Sequence, residues 1–225
     1  MADNTFFEKI GKWLRGLLAI YVVLLAVESV AGLVIIAVLA GAGDADLSSG
    51  GGQAVGLSLM TMGYSAYAEV AAFILIAILF LRFLYKAVKQ AKAFTTPYTY
   101  VSPGWAVGYW FIPLMNLYRP FEVVKALFKS SAHEAGDAKP TAGEQLLSAW
   151  WALFLISNFA GWALSRMDTD FSDRAQVTTF CEYSIGANLL NIGATLLFWL
   201  VIKRLVLAMG RAATAKTVPG GPAAA

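Results

Sequence analysis

The sequence predicts an all-α membrane protein with four transmembrane helices. A re-entrant or interfacial aromatic/proline element is expected on the cytoplasmic side between helices 2 and 3. Three observations predict this. Of 225 residues, 59% are hydrophobic and the mean hydropathy is +0.64, whereas a soluble domain has about 45–50% apolar residues. The excess lies in long uninterrupted blocks, as membrane helices require. Lys and Arg flank those blocks on one side. A chain of this length makes a single membrane domain, expected over 1–209.

The first span is 17–39, preceded by Lys9, Lys12 and Arg15 and interrupted by Glu28 and Ser29. It is too long for a signal-peptide core of about 7–15 residues, although 40–42 resembles a cleavage site. Residues 41–64 read as a Gly/Ser-rich loop carrying Asp44 and Asp46, with linker composition at 50–52. The second span is 66–85, with Glu69 near its start and Arg82 near its end. Its helix is expected to continue past Lys86, Lys89 and Lys92 until Pro97. After the unusual run 103–120, Pro120 opens an amphipathic helix, 121–134. Its Phe121, Val124, Leu127 and Phe128 fall on one face and its Glu122, Lys125 and Lys129 on the other. The third span is 146–165, and 166–174 is an acidic loop with Asp168, Asp170 and Asp173. The fourth span is 183–202, its helix projecting toward Met209. The Gly/Pro/Ala-rich tail, 210–225, is expected to be disordered.

Charge sets the expected topology. With both termini and the middle segment inside, all of the 17 Lys and Arg except Arg166 and Arg174 face the cytoplasm. The same count keeps 103–120 from crossing, because a crossing would carry Arg119, Lys125, Lys129 and Lys139 outside. As a helix, 105–118 reaches only about 21 Å, short of a core of roughly 30 Å.

The phrase SPGWAVGYWFIPLMNLYRPFEVVKALFKSS, 102–131, resembles the bacterial membrane proteins grouped as domain-of-unknown-function 4328. The matching residues are Pro103, Gly104, Trp105, Gly108, Trp110, Phe111, Pro113, Asn116, Leu117, Arg119 and Pro120. Tyr118 stands where the family often has Trp. Residues 125–128, Lys-Ala-Leu-Phe, lack the acidic residue expected beside the aromatic. The resemblance implies a multi-pass protein of the bacterial cytoplasmic membrane and no particular activity.

Two groups of residues are candidates for function. In the motif, Trp105, Trp110, Asn116 and Arg119 combine interfacial rings with a phosphate-gripping fork and an orienting amide. The simpler role for those rings is anchoring at headgroup depth. In the spans, Glu28 sits at the middle of the first, Asn158 of the third and Asn191 of the fourth, with Asn188 one turn from Asn191. They suggest a midplane polar cluster, either interhelical glue or an ion relay.

The leading expectation is an accessory protein that binds anionic lipid headgroups or a membrane partner through 103–134, the partner being a second copy in a homo-oligomer or another membrane protein. A transporter or channel subunit using the polar cluster is the alternative. No enzyme activity, cofactor, metal or nucleic-acid partner is expected. The chain has a single Cys (Cys181) and a single His (His133), with no nucleophile–base set and no phosphate loop.

Overall fold

The computed structural model describes residues 2–41, 50–94, 98, 101–136 and 142–217. Those residues are helical throughout apart from turns, with no strand among them. The elements are α1 (Ala2–Gly41), α2 (Gly50–Ala91), α3 (Pro103–Gly108), a 3-10 turn (Tyr109–Phe111), α4 (Pro113–Asn116), α5 (Arg119–Glu134), α6 (Ala142–Leu164) and α7 (Arg174–Thr217). Four of them, α1, α2, α6 and α7, are long and apolar enough to cross a membrane. The most apolar windows of α1, α2 and α6 are only 22%, 28% and 22% buried, so most of their apolar side chains face outward, where lipid can take them.

Two of these helices are longer than the sequence suggests. Residues 50–64, read as loop, form the first four turns of α2. The reason is tertiary: Val55, Leu59 and Met62 recur at helical spacing and pack with Ala31 and Ile35 of α1 and Val177 and Cys181 of α7. That burial overrides the poor helix propensity of the glycines. α7 begins at Arg174 and runs to Thr217, so residues 210–217 of the expected disordered tail are helical, with Ala212 fully buried. Asp44 and Asp46 of the expected loop, Pro97, Lys139 and residues 218–225 of the tail lie outside the described residues.

The chain divides into two compact units. One comprises Met1–Leu18, Leu75–Ala152 and Leu196–Ala225. Within it Phe7 meets Phe83 edge-on at 5.5 Å, and Ser131 donates to the Met209 sulfur at 3.1 Å. α5 buries Val124, Leu127 and Phe128 of the expected face with Val123 beside them, while Phe121 is only half-buried. Gly136, at φ 75°, ends α5 in the left-handed conformation that favours glycine. At Gly143 of α6, a Cβ would lie 2.7 Å from the Phe128 ring, so the close approach of that ring requires glycine.

The other unit comprises Ala19–Ile74 and Leu153–Thr195. Its apolar core is Ala31, Ile35, Met62, Val177 and Cys181. Asp173 caps α7. Its carboxylate accepts the Ala175 and Gln176 backbone N–H groups at 2.9 and 3.4 Å and the Gln176 side-chain amide at 3.0 Å. Those bonds, the Gln176 side chain foremost, hold the Asp173 carboxyl below the usual carboxylate range. Asp170 is lowered too, by the hydroxyl and backbone N–H of Ser172. The Arg174 guanidinium donates to the Leu39 carbonyl at 3.2 Å, satisfying an acceptor in the last turn of α1.

Candidate functional site

Three prolines build the motif. Pro103, Pro113 and Pro120 each sit in the first turn of a helical piece, where a missing N–H costs nothing. Ser102 caps the first piece by accepting the Trp105 N–H at 3.3 Å. Ile112, before Pro113, is extended at φ −102°, ψ 112°, as residues before proline prefer. The run therefore folds as α3, a 3-10 turn, α4 and α5 rather than as one helix.

The motif has an anchored side and an open side. On the anchored side Ala106 is fully buried, and Trp110 lies edge-on to Phe80 at 5.4 Å and to Trp151 at 5.9 Å. The Trp151 indole N–H donates to the Leu117 carbonyl at 3.0 Å, which ties the motif to α6. Trp150 stacks on Phe198 at 4.7 Å, and Phe80 meets the same ring at 5.0 Å. On the open side Trp105, Phe111, Leu114, Leu117 and Tyr118 are exposed, Phe111 and Leu114 by 72% and 78%.

Arg119 stands beside that open side. Its guanidinium lies 5.1 Å from the Tyr118 ring centre and 5.8 Å from that of Tyr109, within cation–π range. Its Nη1 bonds Glu122 at 2.9 Å in an i,i+3 pair. A shallow recess with an enclosed volume of about 10 Å³, room for about one water, is lined in part by Tyr98, Tyr109, Arg119 and Glu122. Lys125 and Lys129 lie over the rings of Phe121 and Tyr98 at 5.8 and 5.9 Å.

Of the four candidate residues here, Trp105 and Arg119 reach the open side, while Trp110 belongs to the anchoring aromatic group. Asn116 is half-buried, and its Oδ1 has no protein hydrogen bond. The pairing of Arg119 with Glu122 was not part of the sequence reading. An exposed pair of this kind contributes little to stability, and a phosphate can displace it. Trp151 was missed by the sequence reading. Its one signal there is an indole donor inside a span, which needs an acceptor that sequence cannot name.

Asn158 separates from the other intramembrane candidates. Asn158 is exposed and gives its amide to the Phe154 carbonyl at 2.7 Å on its own helix. Asn188 is buried and Asn191 half-buried on α7. The Glu69 carboxyl of α2 hydrogen-bonds to Glu28, a partner that the sequence reading did not name.

Residues 49–206 match the family described as a domain of unknown function (DUF4328). The chain belongs to this family. The matched region of this DUF4328 protein contains the whole motif and also Glu69, Asn158, Asn188 and Asn191, whereas Glu28 precedes it. No curated protein and no solved structure matches the chain.

Proposed function

We propose that this DUF4328 protein is an accessory protein of the bacterial cytoplasmic membrane that holds anionic phospholipid headgroups at the inner face through 103–134. Both termini share that face in this reading. One observation carries it: the motif exposes Trp105, Phe111, Leu114, Leu117 and Tyr118 and, next to the last of them, a guanidinium flanked by two tyrosine rings. Such exposed rings favour the interfacial zone, where amphipathic rings sit at headgroup level. The guanidinium supplies a planar fork for phosphate oxygens. Lys125 and Lys129 add attraction of roughly 1 kcal/mol each near an anionic surface. The recess is too small to enclose a solute, which favours a ligand gripped at its rim.

The test is native mass spectrometry of the full chain from micelles titrated with phosphatidylglycerol or phosphatidylcholine. The expected result is selective retention of phosphatidylglycerol, reduced several-fold by Arg119→Gln. Equal retention of both lipids, unaffected by that substitution, would sink the lipid reading and favour a protein partner for the open side.

A further inference from the structure

In the unit containing the apolar core of Ala31, Ile35, Met62, Val177 and Cys181, three buried stripes turn polar at the same distance. On α1 the stripe runs from Ile35 through Ala31 to Glu28. On α2 it runs from Met62 through Ser65 to Glu69. On α7 it runs from Cys181 through Ser184 to Asn188. Each takes steps of three and four residues, which keeps one helical face. Each polar end lies seven residues, or about 10.5 Å, from the core. α1 runs antiparallel to both neighbours: Arg174 reaches Leu39 at one end, and Met62 shares the core with Ile35 while Glu69 meets Glu28. The register therefore brings Glu28, Glu69 and Asn188 to one layer.

The chemistry of that layer is incomplete as protein alone. A hydrogen bond between two carboxyl groups needs a proton on one of them, because carboxylates only accept. One Glu69 oxygen is buried without a protein hydrogen bond. The Ser184 hydroxyl and the Asn188 amide nitrogen are likewise unpartnered, and these residues are only 1% and 7% exposed; with no acceptor fixing its N–H groups, the Asn188 amide is free to turn its oxygen toward a cation. Buried polar groups in native proteins are almost always satisfied. Orphans at Glu69 and Asn188 in that layer, and at Ser184 one turn from it, thus point to a bound species. Tyr21, a further seven residues along the α1 stripe, interacts electrostatically with both carboxyls.

We propose that Glu28, Glu69, Ser184 and Asn188 form a cation site that holds one proton between the carboxyls and, when that proton leaves, one sodium-sized monovalent cation. The exchange balances: one H⁺ departs, one M⁺ enters, and the net charge of the layer is unchanged. Carboxylate, amide and hydroxyl oxygens are the donors that hard cations prefer. An exchange that leaves the net charge unchanged also avoids adding a second negative charge among apolar helices. The titratable groups facing the layer are Glu28 and Tyr21 from α1, Glu69 from α2 and the Cys181 thiol two turns along the α7 stripe. α6 presents Ser157, one turn from Leu153, which packs over Gly193 of α7. This site is independent of the lipid-binding element.

The test uses the full chain in detergent micelles. Infrared spectroscopy in choline chloride is expected to show a protonated-carboxyl C=O band that Glu69→Gln alters. At about pH 9, adding sodium is expected to remove that band. It should also raise the unfolding midpoint by roughly 3–6 °C at ten times its Kd. At about pH 6 the sodium shift should shrink as protons compete. Asn188→Leu is expected to keep the band and lose the sodium shift, which separates a cation site from carboxyl pairing alone. If Glu69→Gln does not fold, the comparison of sodium with choline on the unsubstituted protein still decides. Identical midpoints in both salts at every pH, or no protonated-carboxyl band, would overturn the proposal.

Discussion

Replacing Trp151 by Phe should release the motif from α6 while leaving the four long helices in place. The substitution deletes the 3.0 Å bond from the indole N–H to the Leu117 carbonyl. It also shrinks a ring that meets Trp110 at 5.9 Å, Trp150 at 5.4 Å and Phe121 at 6.3 Å. A neutral hydrogen bond contributes about 0.5–1.5 kcal/mol net. Leu117 is exposed, so water can take over its carbonyl and the loss falls near the middle of that range. Weakened aromatic contacts add about 0.5–1.5 kcal/mol, since phenylalanine keeps part of the packing. The total of about 2 kcal/mol corresponds to roughly a thirtyfold rise in local opening. Hydrogen exchange by mass spectrometry reads this directly. Amides in 103–118 should exchange roughly thirtyfold faster, while those of α7 stay protected. Unchanged protection across 103–118 would refute the reasoning, because the tether would then contribute nothing. Uniform loss across all helices would also refute it, because Trp151 would then support the whole fold.

Other substitutions probe separate links. Gly143→Ala should destabilise by about 1 kcal/mol net, or roughly 2–4 °C by thermal unfolding. The new Cβ meets three Phe128 ring carbons at 2.7–3.2 Å, and that crowding outweighs the helix propensity gained; Phe128→Leu in the same chain should recover it. Asp173 has a carboxyl held below its ordinary range by Gln176 and two backbone N–H groups. Its contribution is present above the usual carboxylate range and is lost as pH falls through the lowered value. Unfolding midpoints measured downward from about pH 5 should therefore fall less steeply in Asp173→Asn, which keeps a capping side chain but does not titrate. Glu122→Gln removes the acid paired with Arg119 at 2.9 Å, and should raise phosphatidylglycerol retention in the native mass spectra where Arg119→Gln lowers it.

Much of the fold is legible because single residues dictate it. Apolar blocks of membrane-spanning length force helices, since no other open structure satisfies the backbone in lipid. The amphipathic pattern after Pro120 fixes α5 to within two residues. Boundaries set by tertiary contact are not legible. The glycines at 50–52 read as linker, and only the packing of Val55, Leu59 and Met62 on α1 and α7 shows that helix wins there. The contact between Glu28 and Glu69 is hidden for a related reason. Depth in a span can be counted from sequence, but which helix face meets which neighbour depends on register. Asn158, at the right depth, turns out to bond its own backbone.

The motif shows how composition and division of labour differ in what they reveal. Its prolines announce breaks, and each break does two things at once. It starts a new helical piece with a residue that needs no donor, and it leaves nearby carbonyls outside regular helix. Leu117 occupies the turn between α4 and α5, where its carbonyl is available to a side-chain donor. Tryptophan offers a donor and no acceptor, so a buried indole on α6 is suited to that carbonyl. Pro113 and Pro120 thus supply the turn to which Trp151 attaches. Anchoring is carried from outside the motif by Trp151 and from within it by Trp110. Trp105, Phe111, Leu114 and Tyr118 are then left to face outward beside Arg119. Substituting an outward ring should alter what the element contacts, whereas substituting Trp151 should alter whether the element is held at all.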